Sequence, residues 1–433
     1  MRLEQFSAEK KRIIENILAL FASQGVNYIL PIITFPYLLR VLGPERFGLV
    51  AFAQAFIQYF MTITNYGFVH TVPRRIAVYR EDKEKLFQIF NSIMLIKFVL
   101  LAITFIFLIF LVLTISKFRA DWEIYLIAFL TVFGNVIYPV WFFQGMEHMK
   151  YIGFLNTLSR IIFTIAIFVF VKTESDYLYV PLFNAFGLIV VGIMSLWVIV
   201  KDFNVKIFFP SKQSVVKELK EGWHIFVGLS AVSLYSNTNT FVLGMFTNNT
   251  TVGYFTAGET LIRAIDGMLN TITQAIYPYA SRLANISRMA ASAFIRKMLI
   301  IVGGTTFLLG IAIFLCAHRI VDIAFGPQYT NTIAVIQILA PLPFFLGING
   351  ILGVPGLLAF NMNRAFSVIV ILAGLINLIL ALILVPAYKH IGISISLLIT
   401  ELSATIIIAV YLSCKRIVFF PKPAIKTADN LWK

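Results

Sequence analysis

Charge is scarce in this sequence. Asp, Glu, Lys and Arg supply 13% of its 433 residues, about half the share usual in a soluble chain, which excludes an ordinary water-soluble domain. Cysteine is nearly absent. Cys316 and Cys414 are the only two, and the topology read below puts them at opposite membrane faces, so no disulfide framework is expected. The five histidines are scattered along the chain with no H-E-x-x-H or other metal-binding spacing. No G-x-x-x-x-G-K-[ST] loop is present, which excludes ATP binding of the P-loop kind. No soluble stretch is long enough to house a transferase site, and no outward loop is long enough for a membrane polymerase or ligase. No cofactor is expected.

Apolar residues are abundant instead. They make up 59% of the chain, Phe alone occurs 42 times, and the mean hydropathy is +0.88. They gather in runs near the ~20 residues that cross a bilayer. Spans are expected at 13–38, 47–70, 87–114, 122–145, 152–171, 178–200, 223–246, 253–278, 298–317, 331–358, 365–386 and 391–413. Residues 1–12 are polar, and no cleavable signal peptide is expected.

The excess of 35 Lys+Arg over 20 Asp+Glu suggests nucleic acid only until it is mapped onto these spans. With the N-terminus inside, the outer side holds only Arg40, Arg46, Lys117, Arg119, Lys172, Arg319 and Lys389. Lys97, Arg160 and Arg263 fall within spans, and every other Lys and Arg is cytoplasmic. This is the positive-inside bias. It predicts a bacterial inner-membrane protein with both termini in the cytoplasm and no nucleic-acid partner.

The longest soluble connection, 201–222, divides the spans into two sets of six. The domains expected are 1–210, an N-terminal six-helix lobe with the loop that follows, and 211–433, a C-terminal six-helix lobe with a cytoplasmic tail. The halves share a pattern. Leu42-Gly43 precedes Phe47-Gly48-Leu49 and Gln54, while Leu243-Gly244 precedes Val252-Gly253-Tyr254 and Glu259. The fold class expected is therefore an all-α polytopic membrane protein, with about 12 transmembrane helices in two parallel six-helix lobes around a central cavity.

Polar residues inside spans are costly, so their helical phase is informative. Glu259, Arg263, Asp266, Asn270 and Gln274 recur at steps of three or four on one helix face. At a constant offset Gln54, Gln58 and Asn65 repeat the positions of Glu259, Arg263 and Asn270, with Thr62 on the same face. Gln24, Asn27 and Thr34 in span 1, and Ser233, Ser236, Asn237 and Thr240 in span 7, add further polar faces. Such helices would line a hydrated cavity; interhelical hydrogen bonding is the alternative for the neutral residues. Lys97 either faces the cavity, snorkels or is paired. Glu401 and Asn377 form either a separate polar site or a structural pairing. Pro341, Pro343 and Pro355 with Gly347, Gly350, Gly353 and Gly356 predict a kinked or broken span 10.

Longer motifs carry a resemblance. They are Phe35-Pro36-Tyr37-Leu38-Leu39-Arg40-Val41-Leu42-Gly43-Pro44, Asn65-Tyr66-Gly67-Phe68, Pro139-Val140-Trp141-Phe142-Phe143-Gln144-Gly145, Gly222-Trp223-His224-Ile225-Phe226 and Gln274-Ala275-Ile276-Tyr277-Pro278. In these the chain resembles the polysaccharide-biosynthesis membrane proteins, the Wzx-type O-antigen flippases of the multidrug/oligosaccharidyl-lipid/polysaccharide exporter superfamily. Arg75 departs from the pattern, standing where the family usually has an acid. The resemblance implies alternating access and an undecaprenyl-pyrophosphate-linked oligosaccharide as substrate, with other polysaccharide-assembly membrane proteins as candidate partners. It implies that Arg263 binds the pyrophosphate, supported by Lys97, Arg74 and Arg75. Trp141, Tyr235 and the polar residues Gln24, Asn27, Gln54, Gln58, Asn65, Asn237 and Asn270 would contact sugar or line the cavity. Glu259, Asp266 and Glu401 are candidates for coupling to an H+ or Na+ gradient. The rival within the superfamily is a drug or small-metabolite antiporter.

Overall fold

A computed structural model describes the backbone of residues 2–415 and 417, and the side chains of 30–228, 230, 238–415 and 417. The described residues form helices and no strand. In chain order these are α1 (Arg2–Asn65), α2 (Phe68–Tyr79), α3 (Lys83–Thr114), α4 (Ser116–Ala120), α5 (Trp122–Ile137), α6 (Val140–Gly145) and α7 (Met149–Phe170). Then come α8 (Tyr179–Asp202), α9 (Lys212–Phe246), α10 (Asn249–Ile286), α11 (Arg288–Ile320), α12 (Thr332–Leu339), α13 (Leu342–Ile351) and α14 (Asn363–Cys414).

Eight segments among the described residues are long and apolar enough to cross a membrane. Two of them each hold two helices. In α1, Gly43 adopts φ 64, ψ 172 and is followed by Pro44. A left-handed residue and a missing N–H interrupt the helix between the expected spans 1 and 2. In α14 the interruption is at Lys389, φ 52, three residues after Pro386. Gly392 then lies directly against the Leu384 carbonyl, where a Cβ has no room. The remaining two spans expected from the sequence fall on α9 and α10. The turn between them is capped by Asn248, whose side chain accepts from Thr251 N at 2.9 Å. The described residues thus form an all-helical, multi-pass membrane protein in which each of the twelve expected spans falls on a helix.

The chain forms two compact units, Met1–Asn237 and Thr238–Lys433, with the division inside α9. In the first unit, small residues let α8 approach its neighbours closely. A Cβ on Gly134 of α5 would stand 2.8 Å from Leu188 of α8, and one on Gly187 would stand 2.9 Å from the Ser159 carbonyl of α7. An apolar cluster there joins Tyr66, Phe68, Val72, Ile76, Phe90, Trp141, Phe142, Phe143 and Val205, all buried. In the second unit α11 packs against the break between α12 and α13, where a Cβ on Gly310 would stand 2.6 Å from the Ala340 carbonyl. Span 10 is broken as expected: α12 ends before Pro341, and α13 passes into a wide π turn, Leu352–Leu357, that contains Pro355. Gly347 and Gly350 serve close packing there, against Val302 with Thr306 and against Thr273 respectively.

Candidate functional site

The polar stripe of α10 is built as its spacing predicts. Arg263 donates from Nε and Nη2 to Glu259 Oε1 at 2.9 and 2.6 Å. Glu259 is buried, whereas the Arg263 side chain is 50% exposed. Thr240 of α9 reaches the other carboxylate oxygen at 3.5 Å. Asp266 is half-buried, and Asn270 and Gln274 are exposed. The stripe therefore presents a guanidinium braced by a buried carboxylate, with amides along the same face. That arrangement suits an anionic, hydrogen-bonding ligand: guanidinium N–H groups match phosphate oxygens in geometry and charge.

The matching face of α1 is neutral and partly consumed. Gln54 is exposed and Gln58 half-buried, but the Asn65 side-chain oxygen accepts from Lys97 Nζ at 3.2 Å. Lys97 is only 1% exposed. Its second contact is the Asn135 carbonyl at 3.2 Å. In an uninterrupted helix that carbonyl would accept from residue 139, which is Pro139 and has no N–H. Lys97 thus replaces a missing backbone donor, and its ammonium is held by the break between α5 and α6 rather than offered to a ligand.

Arg74 is exposed. Arg75, beside it on α2, is engaged: Nη1 and Nη2 grip the Glu218 carboxylate, the second bond at 2.7 Å, and Glu221 lies 2.8 Å away. The acid that the family pattern leads one to expect next to Arg74 is replaced by a base whose acidic partners come from α9. A cavity of about 270 Å³ opens beside this ion pair, lined by Tyr79, Lys85, Gln88, Ser214 and Lys217 among others.

Sequence reasoning missed that the longest motifs meet one another. Tyr66 stacks on Phe226 with ring centroids 4.6 Å apart, and its hydroxyl donates to the Leu219 carbonyl at 3.2 Å. Gly222 and Gly67 make the approach feasible: a Cβ on Gly222 would stand 3.0 Å from the Tyr66 ring, and one on Gly67 2.9 Å from Ile225. Trp141 packs on Phe90 and is 1% exposed, so it is core rather than a sugar platform. Gly145, at the end of the same motif, lies 2.9 Å from the Pro73 carbonyl when given a Cβ. The glycines were the available signal, since each marks a close backbone approach, but a glycine does not name its partner.

In the second unit Glu401 accepts from Asn349 Nδ2 at 2.8 Å, and Thr405 donates to the Asn349 oxygen at 2.7 Å. Asn377 and Ser396 form a second, fully buried pair. Both are structural pairings between helices. The side chains of Gln24, Asn27, Ser233, Tyr235, Ser236 and Asn237 lie outside the described residues.

Residues 13–284 match the family described as "Polysaccharide biosynthesis protein". A protein of Escherichia coli (strain K12) named "Putative O-antigen transporter" is 36% identical over 402 residues, covering 92% of this chain and 96% of the relative. A protein of the same name from Shigella dysenteriae is 27% identical over 387 residues, covering 89% and 96%. The fold is shared with solved transporters. A lipid II flippase MurJ in an inward closed conformation aligns with TM-score 0.73 at 14% identity, covering 92% of this chain and 87% of the flippase. An inward-facing multidrug resistance MATE transporter of the MOP superfamily aligns with TM-score 0.67 at 15% identity, covering 89% and 94%. The names of the relatives are those of transporters, and no enzyme family is indicated. With the family match over residues 13–284 and a 36%-identical relative aligned over 92% of the chain, the chain belongs to the polysaccharide biosynthesis protein family.

Proposed function

We propose that this protein carries lipid-linked oligosaccharide repeat units across the bacterial inner membrane for O-antigen or related surface-polysaccharide assembly, by alternating access. The near end-to-end likeness to relatives named as O-antigen transporters is the observation that carries this reading. The substrate proposed is an undecaprenyl-pyrophosphate-linked oligosaccharide, taken up at the lysine- and arginine-rich face, which is then cytoplasmic.

The physics of α10 supports it. A diphosphate cannot enter hydrocarbon without cationic partners. Of the three cations within expected spans, Lys97 is buried, Arg160 and Arg263 are exposed, and Arg263 is the one that stands on the polar face of α10. Arg263 is therefore assigned to the diphosphate, with Asn270 and Gln274 in reach of sugar hydroxyls. Glu259 is assigned to hold the guanidinium, and Asp266 is the candidate coupling acid for an H+ or Na+ gradient.

The test is a strain lacking its own gene for this step. Its loss should leave lipid-linked repeat units on the cytoplasmic side and remove surface polymer, and the intact gene should restore both. Surface polymer unchanged by the deletion, with drug tolerance altered, would replace this reading with that of a drug antiporter.

A further inference from the structure

By its place in the longest soluble connection, with Lys206 in it and Lys201 and Lys212 beside it, the segment joining α8 to α9 is expected in water. Its structure differs. Asn204 at φ 52 ends α8 in the left-handed region, and Val205 N returns to the Ile199 carbonyl at 3.4 Å, which turns the chain back alongside the helices. Phe203 then packs on Phe142 and His148, and Val205 is 3% exposed within the apolar cluster. The next residues are pinned by a buried side chain of α3. Asn91 Nδ2 donates to the Lys206 carbonyl at 2.9 Å, and Asn91 Oδ1 accepts from Phe208 N at 3.2 Å. Ser92 reaches Ser214, in the first turn of α9, at 2.8 Å.

Asn91 stands eight residues beyond the start of α3, about 12 Å along its axis, and inside the span expected at 87–114. With the span at 87–114, a loop tied to Asn91 would lie level with the edge of the hydrocarbon, not above it. Irregular backbone at that depth needs its polar groups met by protein, and Asn91 meets one carbonyl and one N–H. With Phe203 and Val205 turned in, Ile207 and Phe209 turn out. They are 77% and 92% exposed, and Phe209 is the most exposed large hydrophobic side chain among the described residues.

Charge fits the same surface. Lys201, Lys206 and Lys212 flank the apolar pair and are exposed. Lys201 lies 4.5 Å over the ring of Trp197, itself 59% exposed, as in an aromatic interfacial belt. The segment itself has no acid, and Asp202, at the end of α8, accepts from Tyr151 at 3.1 Å.

We propose that residues 204–211 form an interfacial anchor: Ile207 and Phe209 enter the acyl–headgroup boundary of the leaflet at the basic face, and Lys201, Lys206 and Lys212 bind anionic lipid headgroups. Each lysine near an anionic leaflet adds attraction that apolar insertion alone lacks, and two weak signals together give stable attachment. The anchor fixes the depth of the connection from which α9 starts.

The experiment uses the full-length protein with Cys316 and Cys414 changed to Ser, both being exposed. Phe209→Cys is labelled with an environment-sensitive fluorophore in nanodiscs of phosphatidylcholine with or without phosphatidylglycerol. Glu81→Cys, at a side chain 92% exposed, is the aqueous control. A label at 209 should be blue-shifted relative to 81, lose emission to spin-labelled lipid, and resist iodide. Loss of emission to iodide at 209 would place the loop in water. Resistance to both quenchers would mean that protein covers it, and either result overturns the anchor. Ile207→Cys carries the same test if the variant at 209 does not fold. Phosphatidylglycerol should deepen the lipid quenching, and Lys206→Gln with Lys212→Gln should remove that increment. An increment that survives both changes overturns the headgroup contact.

Discussion

Lys97 donates a hydrogen bond to the Asn135 carbonyl, whose helical donor is missing because residue 139 is proline. Removing that ammonium leaves a buried carbonyl and the Asn65 oxygen without a donor, at a cost of about 1–3 kcal/mol for each unsatisfied group. Lys97→Leu is therefore expected to lower the unfolding temperature in detergent, and Lys97→Gln, which keeps a donor, to lower it less. Thermal unfolding followed by size-exclusion chromatography checks this. A Leu variant of full stability that fails only in transport would return Lys97 to the substrate path.

The contact of Tyr66 and Gly67 with Gly222 and Ile225 predicts a graded glycine series. Gly67→Ala places a Cβ 2.9 Å from Ile225 at a residue with φ +78, so clash and backbone strain add. Gly222→Ala meets only the Tyr66 ring at 3.0 Å and should cost less. Gly228→Ala meets nothing within 4 Å and sits inside α9, where Ala is favoured over Gly by up to ~1 kcal/mol. The order of unfolding temperatures expected is Gly228→Ala at or above wild type, then Gly222→Ala, then Gly67→Ala. A reversed order would mean that these glycines are not packing sites.

Much of the helical layout was legible because it is local. Gly43 before Pro44 and Pro139 after Tyr138 interrupt helices through their own backbone chemistry, and the stripe from Glu259 to Gln274 is fixed by helical phase. What was not legible is long-range pairing. Nothing in the phase of Arg75 says that its carboxylates come from Glu218 and Glu221. The ring of Trp141 reads alike as sugar platform or core until Phe90 and Phe142 are seen against it. Lys97 showed the right type and depth for an anion ligand, and only the direction of Asn65 and Asn135 assigns it to structure.

The Arg75–Glu218 pair makes an asymmetric prediction. Glu218 is 3% exposed and Arg75 21%. Arg75→Ala strands a buried carboxylate, whereas Glu218→Ala leaves a guanidinium that Glu221 and solvent can still serve. The first should therefore destabilise more, and the double variant should recover part of the loss. Coupling of ~0.5–3 kcal/mol is the range for residues in direct contact. Additive losses in a double-mutant cycle would show that the pair contributes little beyond its separate contacts.

Arg263 and Glu259 separate binding from positioning. If the guanidinium meets the diphosphate, Arg263→Ala removes charge-assisted hydrogen bonds worth about 1.5–3 kcal/mol, or roughly a ten- to hundredfold loss of transport at limiting substrate. Arg263→Lys keeps the charge without the planar fork and should retain part of it. Glu259→Gln keeps a hydrogen-bond acceptor for Arg263 but not the charge, so the guanidinium stays in place with its positive charge less offset. Substrate should then bind at least as tightly and leave more slowly, lowering the maximal rate without loss of affinity. Reconstituted vesicles with a fluorescent lipid diphosphate, at matched protein levels, separate these outcomes. Full activity of Arg263→Ala would remove the stripe from the mechanism, and equal losses in both variants would make the pair a structural unit.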